Sequence, residues 1–274
     1  MKYDISSSIV TYKNSKTMLQ NVILSFLNTD LNVKLYIVDN SPTDEIQKLC
    51  KDKRIKYIFN NANIGFGAGH NIAIKKSLNL SKYHLVLNPD IYFEKGDLEE
   101  IYGFMELNDD IGGGMPRVLY TDGSIQHLCK LLPTPRDLIF RRFLPFKSLK
   151  EKRNNFYELQ FTGYDKVIDV PCLSGCFMFI RTEVFKRVGL FDERFFMYLE
   201  DFDLSRRINR HYRIVYYPKV TIYHEHGKGS YKNKKVLQYH IDSAIKYFNK
   251  WGWFFDKERN LINRRTLESL KIKH

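Results

Sequence analysis

The chain has 274 residues, 43% hydrophobic and 27% charged, enough apolar material to build a substantial core and to exclude a disordered chain. No run approaches the roughly 18 apolar residues of a spanning helix. The four cysteines, Cys50, Cys129, Cys172 and Cys176, contain no CxxC pair, so a zinc site is excluded and reduced thiols are expected.

The net charge of +13 is unevenly placed. Residues 130–153 hold eight Lys/Arg against two Asp/Glu, residues 226–274 hold twelve against four, and the rest is nearly neutral. Two basic patches on a neutral body suit docking on an anionic surface, membrane or nucleic acid, or a generally basic soluble exterior. The opening Met1–Ser8 lacks the apolar segment of a signal peptide, and a cytoplasmic protein is expected.

In chain order, Ile5–Tyr12 reads as a first strand, and Met18, Val22, Ile23, Phe26 and Leu27 recur at helical spacing. Val33–Val38 predicts a second strand running into Asp39-Asn40-Ser41. Ile46, Leu49 and Cys50 predict a helix, and Ile55–Phe59 a third strand. Strand–helix–strand–helix–strand within the first 60 residues argues for parallel pairing, with ligands beyond the carboxyl ends of the strands, where Asp39 and Asn40 fall.

Asn63-Ile64-Gly65-Phe66-Gly67-Ala68-Gly69-His70-Asn71 follows. Its glycines either let the backbone approach a phosphate at a helix starting near Gly69 or make an ordinary turn. His84–Leu87 predicts a short buried strand leading to Asn88-Pro89-Asp90, where the acid is either a cation ligand or a turn residue. A helix around Leu98–Met105 and a strand around Met115–Tyr120, preceded by Gly112-Gly113-Gly114, come next.

Residues 130–168 carry Pro133, Pro135 and Pro145 among aromatics and basic residues, and read as an irregular insertion over the active face. Val170–Arg181 returns to a strand, and Thr182 is placed to cap a short helix. Phe191–Arg207 mixes aromatics with Glu200, Asp201 and Asp203. The acids either pair with Arg206 and Arg207 or provide a general base at a helix start. Tyr212–Tyr217 predicts the last core strand, running on to His224-Glu225-His226. Beyond Lys228, Leu237, Ile241, Ala244, Ile245, Phe248 and Trp251 share one helical face before Trp253-Phe254-Phe255. That helix either lies in a membrane interface or packs on the body.

Seven of these stretches resemble glycosyltransferase family 2, and within it the bacterial rhamnosyltransferases: Ile9–Tyr12, Val38–Ser41, Asn63–Asn71, Leu87–Asp90, Ser174-Gly175, Phe191–Arg207 and His224, in family order across residues 1–226. The resemblance implies an α/β GT-A fold, a Rossmann-like, mostly parallel nucleotide-binding sheet with helices on both faces, over residues 1–227. A basic amphipathic helical tail over 228–274 completes the chain.

The same resemblance implies that Thr11, Tyr12, Asp39, Asn40, Asn63, Gly65, Gly69, Asn71 and Asn88 bind a nucleotide-sugar donor. Asp90 would bind a divalent cation (Mg²⁺ or Mn²⁺), with His224 or His226 as second ligand. Asp201 would be the base, Glu200 its neighbour, and Ser174 and Gly175 would lie on the acceptor side. The implied reaction is inverting transfer, best matched by L-rhamnose from dTDP-L-rhamnose, to a saccharide acceptor linked to polyprenyl diphosphate in bacterial surface polysaccharide synthesis. The protein would work peripherally on the anionic inner face of the plasma membrane, with no nucleic-acid partner. UDP-galactofuranose or another UDP-hexose is the alternative donor. A nucleotidyltransferase or a nucleic-acid-binding protein are the other classes weighed.

Overall fold

The computed structural model describes residues 1–138, 147–225 and 234–271. The amino-terminal half is built from β1 (Tyr3–Thr11), α1 (Lys16–Leu27), β2 (Val33–Asp39), β3 (Ile55–Phe59), α2 (Phe66–Ser77) and β4 (Ser81–Leu87). Next come β5 (Ile91–Tyr92), α3 (Asp97–Glu106), β6 (Ile111–Leu119) and α4 (Lys147–Tyr157). The remaining elements are β7 (Ile168–Asp169), β8 (Phe177–Arg181), α5 (Thr182–Val188), α6 (Glu200–Ile208), β9 (Arg213–His224), α7 (Lys234–Trp251) and α8 (Lys257–Lys271).

All nine strands join one sheet in the order β3-β2-β1-β4-β8-β6-β9-β5, with β7 added beside β9. The β3-β2-β1-β4 half is parallel, and Thr11 stands level with Asp39 at its carboxyl edge. Beyond β4 the sheet turns mixed: β8 runs antiparallel to both β4 and β6, whereas β6 and β9 are parallel. The carboxyl ends of β1, β2 and β4 thus open on one side, where a ligand site is expected.

Period-2 alternation sorts the core into two layers. Leu85, Leu87, Phe177 and Phe179 face Leu19, Val22 and Phe26 of α1. Val86, Met178 and Ile180 face the opposite layer with Val184, Phe185, Leu204 and Ile208. α1 starts where the Ser15 hydroxyl accepts from the Met18 amide, an N-cap of the usual kind.

Several sequence expectations change in detail. The 46–50 segment is a 3₁₀ turn, Glu45–Leu49. Gly112–Gly114 lie inside β6, since a Cβ at Gly112 would come within 2.6 Å of Tyr212 Cβ. Thr182 does not cap α5: it is the first helical residue, and the cap position is Arg181. The tail of the 130–168 insertion is ordered as α4 followed by a 3₁₀ turn, and Leu131, Leu132, Tyr157 and Leu159 are buried.

The carboxyl-terminal helices pack on the body. Tyr247, Phe248 and Ile262 form a third core cluster with Leu132, Phe195, Leu199 and Phe202. Arg206 of α6, fully buried, donates to both oxygens of Asp256 just before α8, and its guanidinium stacks 4.2 Å from the Trp251 ring centre. Ile241, Ile245, Phe254 and Phe255 stay exposed.

Candidate active site

A cavity of about 900 Å³ opens beside α6. Its floor carries Glu200 and Asp201, the first two residues of α6. They are delivered there by Tyr198 and Leu199, consecutive non-glycine residues with φ of 72° and 66°. Left-handed backbone at such residues costs on the order of 1–3 kcal/mol each and marks sites where side-chain placement outweighs strain.

Asp201 is half-buried and accepts two backbone hydrogen bonds, from Gly175 N–H at 3.1 Å and from Phe202 N–H at 2.9 Å. Glu200 is buried, and its Oε2 has no hydrogen-bond partner. Burial pushes the Glu200 carboxyl well above the usual carboxylate range, and the neighbouring Asp201 charge pushes it further. Burial also raises Asp201, but the Gly175 and Phe202 amides and the Lys130 ammonium favour its charged form. Burial thus disfavours charge on both carboxyls, and of the two only Asp201 has the backbone amides of other residues favouring its charged form. Asp203 and Arg207 form the ion pair expected within the acidic run, at 3.0 Å, whereas Arg206 pairs outside it with Asp256.

Ser174, Gly175 and Asn88 line the same cavity. The loop of Ser174 and Gly175 is tied to the end of β4 by the Asn88 amide, which donates to Cys176 O at 3.0 Å. His224, at the end of β9, reaches it from the other wall, its backbone carbonyl and Nδ1 both held by the Gln126 side chain.

His224 Nε2 lies 3.3 Å from Asp90 Oδ1. No group of three His, Cys, Asp or Glu converges among the described residues, so a closed metal site is not formed. The Asp90 carboxylate and the His224 imidazole are of the types that would hold a divalent cation in part, leaving room for substrate oxygens. His226 lies outside the described residues.

At the carboxyl ends of β1 and β2, Asp39 is fully buried. Its Oδ1 accepts from Ser41 N–H and its Oδ2 from the Tyr57 hydroxyl, which leaves further lone pairs on each oxygen. Asn40 donates to Gly65 O and accepts from Asn60, and the Thr11 hydroxyl donates to Asn14. Tyr12 stands exposed at the rim.

The glycine loop is packed against protein. α2 begins at Phe66, earlier than expected, with Gly65 at φ 92° as its cap. A Cβ at Gly65 would lie 2.5 Å from Phe196 O, and one at Gly69 would lie 2.8 Å from Val10. These glycines let α2 press on β1 and on the 191–199 segment. Asn63 accepts from Gly65 N–H, and Asn71 bonds Phe191 N–H, Phe191 O and Glu193. Asn71 thus clamps the segment leading to α6.

Sequence reasoning missed Gln126, His127, Lys130, Glu158, Tyr198 and His240, which complete the cavity wall. Tyr198 and Leu199 stood in the quoted run, but nothing in it signals two left-handed residues. The others come from stretches without periodicity, and His240 from the tail, whose ring packs 5.2 Å from Tyr198.

The parallel half-sheet with its ligand-side carboxyl edge, continued by a mixed half that carries a carboxylate pair at a strained helix start, is the architecture of the GT-A fold. The chain belongs to glycosyl transferase family 2, whose model matches residues 7–189.

It is 30% identical over 209 residues to a low-salt glycan biosynthesis hexosyltransferase of Haloferax volcanii, covering 76% of this chain and 62% of that one. It is 23% identical over 261 residues to the N-acetylglucosaminyl-diphospho-decaprenol L-rhamnosyltransferase of Mycobacterium tuberculosis, covering 89% and 84%. Among solved structures it resembles GalNAc-T7 with UDP, GalNAc and Mn²⁺, with a TM-score of 0.60 at 15% identity, covering 81% of this chain and 44% of that one.

Proposed function

We infer that the chain moves a sugar from a nucleotide-sugar donor to a hydroxyl of a saccharide acceptor in one inverting displacement, with Asp201 as base. The observation that carries this is the carboxylate pair lining the cavity, with Asp201 held by the Gly175 and Phe202 amides. An acceptor hydroxyl hydrogen-bonds to Asp201, whose raised affinity for a proton suits it to general-base work. As that proton passes to the carboxylate, the acceptor oxygen forms a bond to the anomeric carbon. The bond from that carbon to the nucleoside diphosphate breaks on the opposite face. Neutral Glu200 adds no second charge against the base and has an O–H to donate. Ser174 and Gly175 border the acceptor, while Thr11, Tyr12, Asp39 and Asn40 hold the nucleoside. A divalent cation held by Asp90 and His224 supplies charge neutralisation at the leaving diphosphate when bound.

Three features support L-rhamnose from dTDP-L-rhamnose as the sugar moved: Asn88-Pro89-Asp90, the Phe196–Leu204 run and the mycobacterial relative. A UDP-hexose is the second reading, favoured by the hexosyltransferase relative. A polyprenyl-diphosphate-linked acceptor suits the decaprenol named for the mycobacterial enzyme. No helix among the described residues is long and apolar enough to cross a membrane, and peripheral attachment to an anionic inner leaflet is the mode of access proposed here.

The test is a panel of nucleotide sugars scored for thermal stabilisation with Mg²⁺ or Mn²⁺, followed by NMR of the transferred sugar's anomeric configuration. Stabilisation by dTDP-L-rhamnose and inversion are expected. Stabilisation by UDP-sugars alone moves the donor to the second reading, and retention of configuration removes Asp201 from the base role.

A further inference from the structure

A second cavity, of about 670 Å³, adjoins the first and shares Asp137 and Tyr157 with it as a common wall. Its volume lies in the usual range for small-molecule sites, and its lining is divided chemically. Arg136, Lys152 and Arg153 provide three cations, and Leu131, Leu132 and Phe156 provide an apolar side.

Asp137 is the only acid among the described residues that line it. That carboxylate is held by Thr134, through both N–H and hydroxyl, and by Arg153 at 3.0 Å. Arg136 and Lys152 are exposed, and neither has an ion pair among the described residues. The described lining therefore keeps about two uncompensated positive charges beside an apolar wall. The wall is fixed rather than loose: Leu131 and Leu132 are buried, and the Leu132 backbone exchanges both its hydrogen bonds with the Asn263 side chain of α8.

The segment joining the two cavities is continuous. Lys130 lines the first, Leu131 to Arg136 contribute to the second, and Leu138 returns to the first. The charge changes along the same path, from the acids Glu200, Asp201 and Glu158 around the reaction centre to cations beyond Asp137. An occupant spanning both cavities meets hydroxyl-accepting acids in the first and, in the second, cations together with a hydrocarbon wall.

We propose that this second cavity binds the diphosphate and the first isoprene units of a lipid-linked acceptor, while the acceptor sugar occupies the first. The proposal rests on the transfer reading above and names the subsite that reading lacks. A diphosphate diester carries two negative charges, matching the excess of two cations, and arginine is well suited to bidentate phosphate contacts. The alternating polar and apolar lining excludes a purely ionic ligand as the best fit, because Leu132 and Phe156 gain nothing from bare phosphate.

Binding is measured on the full chain by titrating farnesyl diphosphate, with inorganic diphosphate and farnesol as separate probes. Saturating nucleoside diphosphate is present throughout to block the donor site. Farnesyl diphosphate is expected to bind at least tenfold tighter than either single-feature probe. The Arg136→Ala/Lys152→Ala pair and Phe156→Ser should each weaken it by tenfold or more. Nucleotide-induced thermal stabilisation in the same variants shows that they are folded. Equal binding of inorganic diphosphate and farnesyl diphosphate overturns the proposal, as does wild-type affinity in both variants. Transfer to a lipid-linked acceptor is then measured in the variants. An unchanged KM with sugar still transferred places the lipid elsewhere and leaves the transfer reading intact. A wild-type enzyme that uses free saccharides and no lipid-linked acceptor overturns the proposal together with that acceptor class.

Discussion

Arg206 and Asp256 form a buried pair, Nη1 to Oδ2 at 2.6 Å, that ties the helix carrying Glu200 and Asp201 to the carboxyl-terminal hairpin. The pair is closed over by Trp251 and shared with Glu258. Trp251 Nε1 and Lys250 Nζ both reach Asp203 on the next turn of α6. The hairpin is therefore part of what holds Asp201 in place.

Asp256→Ala takes the two-oxygen partner from a buried guanidinium and leaves it the Glu258 carboxylate alone; breaking a buried pair typically costs about 3–5 kcal/mol, an upper figure here. Urea unfolding is expected to show that loss, and turnover per folded molecule should fall as well. Truncation after Gly227 uncovers Phe195, Leu199 and Phe202 and should prevent folding. A soluble, cooperatively folding truncated chain would show that the hairpin is dispensable.

Asp201→Asn should lower turnover by about 10²–10⁴-fold with donor affinity nearly unchanged, since proton acceptance is lost at constant size. Glu200→Gln preserves the neutral state argued for Glu200 and should cost no more than about tenfold. The pH profile follows from the same burial. The base must be ionised, so turnover rises with pH through a midpoint above the ordinary carboxylate range. A midpoint near 4, or a Glu200→Gln loss as deep as that of Asp201→Asn, contradicts the assignment.

Asp90→Ala should weaken metal-dependent donor binding, because it removes the carboxylate facing His224. Isothermal titration of donor with and without Mn²⁺ decides the point. Full wild-type turnover in excess chelator would exclude the cation from the reaction.

Beneath α2, Ser8 bridges His70 and His84, and Ser6 and Ser77 hold the other nitrogen of His84. Both rings are fully buried, and burial lowers both pKa values, that of His84 to about 3. Below about pH 6.5 the unfolded chain takes up protons that the folded chain refuses, so stability falls as pH falls. Each such histidine contributes up to about 1.4 kcal/mol per pH unit until its folded pKa is reached. Glu200, raised by burial, contributes with the opposite sign, so the comparison is between wild type and His84→Gln. Urea midpoints at pH 7.5 and 5.0 should differ clearly less in the variant. Equal pH dependence would mean that His84 is already charged in the fold.

How much of this was legible in the sequence differed by residue. β3 matched its predicted run to the residue, and the acidic run drew notice because a carboxylate pair among aromatics has few uses; the structure puts Glu200 and Asp201 in the cavity and pairs Asp203 with Arg207. The helix start at Phe66 was missed because the Gly65-Phe66-Gly67-Ala68-Gly69 stretch lacks an apolar period. Its glycines suited either a phosphate contact or an ordinary turn, and in the structure they make room for Val10, Phe191 and Phe196, residues 59 to 131 positions away. Gln126 and Lys130 were invisible for the same reason, because long-range packing alone brings them to the cavity. In the tail, one apolar stripe suited two partners, and only the contacts of Tyr247 and Phe248 show that much of it faces the body.

What the body leaves uncovered is the tip between α7 and α8, where Phe254 is 79% and Phe255 97% exposed. The tip is fixed at one side by Gly252, whose φ of 106° allows the turn, and at the other by Asp256. Two adjacent aromatic rings held outward on a rigid turn, in a region of net charge +8, suit insertion at an anionic lipid interface. Each basic residue near such a surface contributes about 1 kcal/mol, fading with salt. The full chain is expected to sediment with phosphatidylglycerol vesicles at low salt, weakly with phosphatidylcholine, and to be released by high salt. Phe254→Ser/Phe255→Ser, which touches no buried contact, should keep the fold and lose most of the vesicle binding. Wild-type sedimentation in that variant would leave electrostatics as the sole attraction, and a full chain that ignores anionic vesicles at low salt has no peripheral membrane mode.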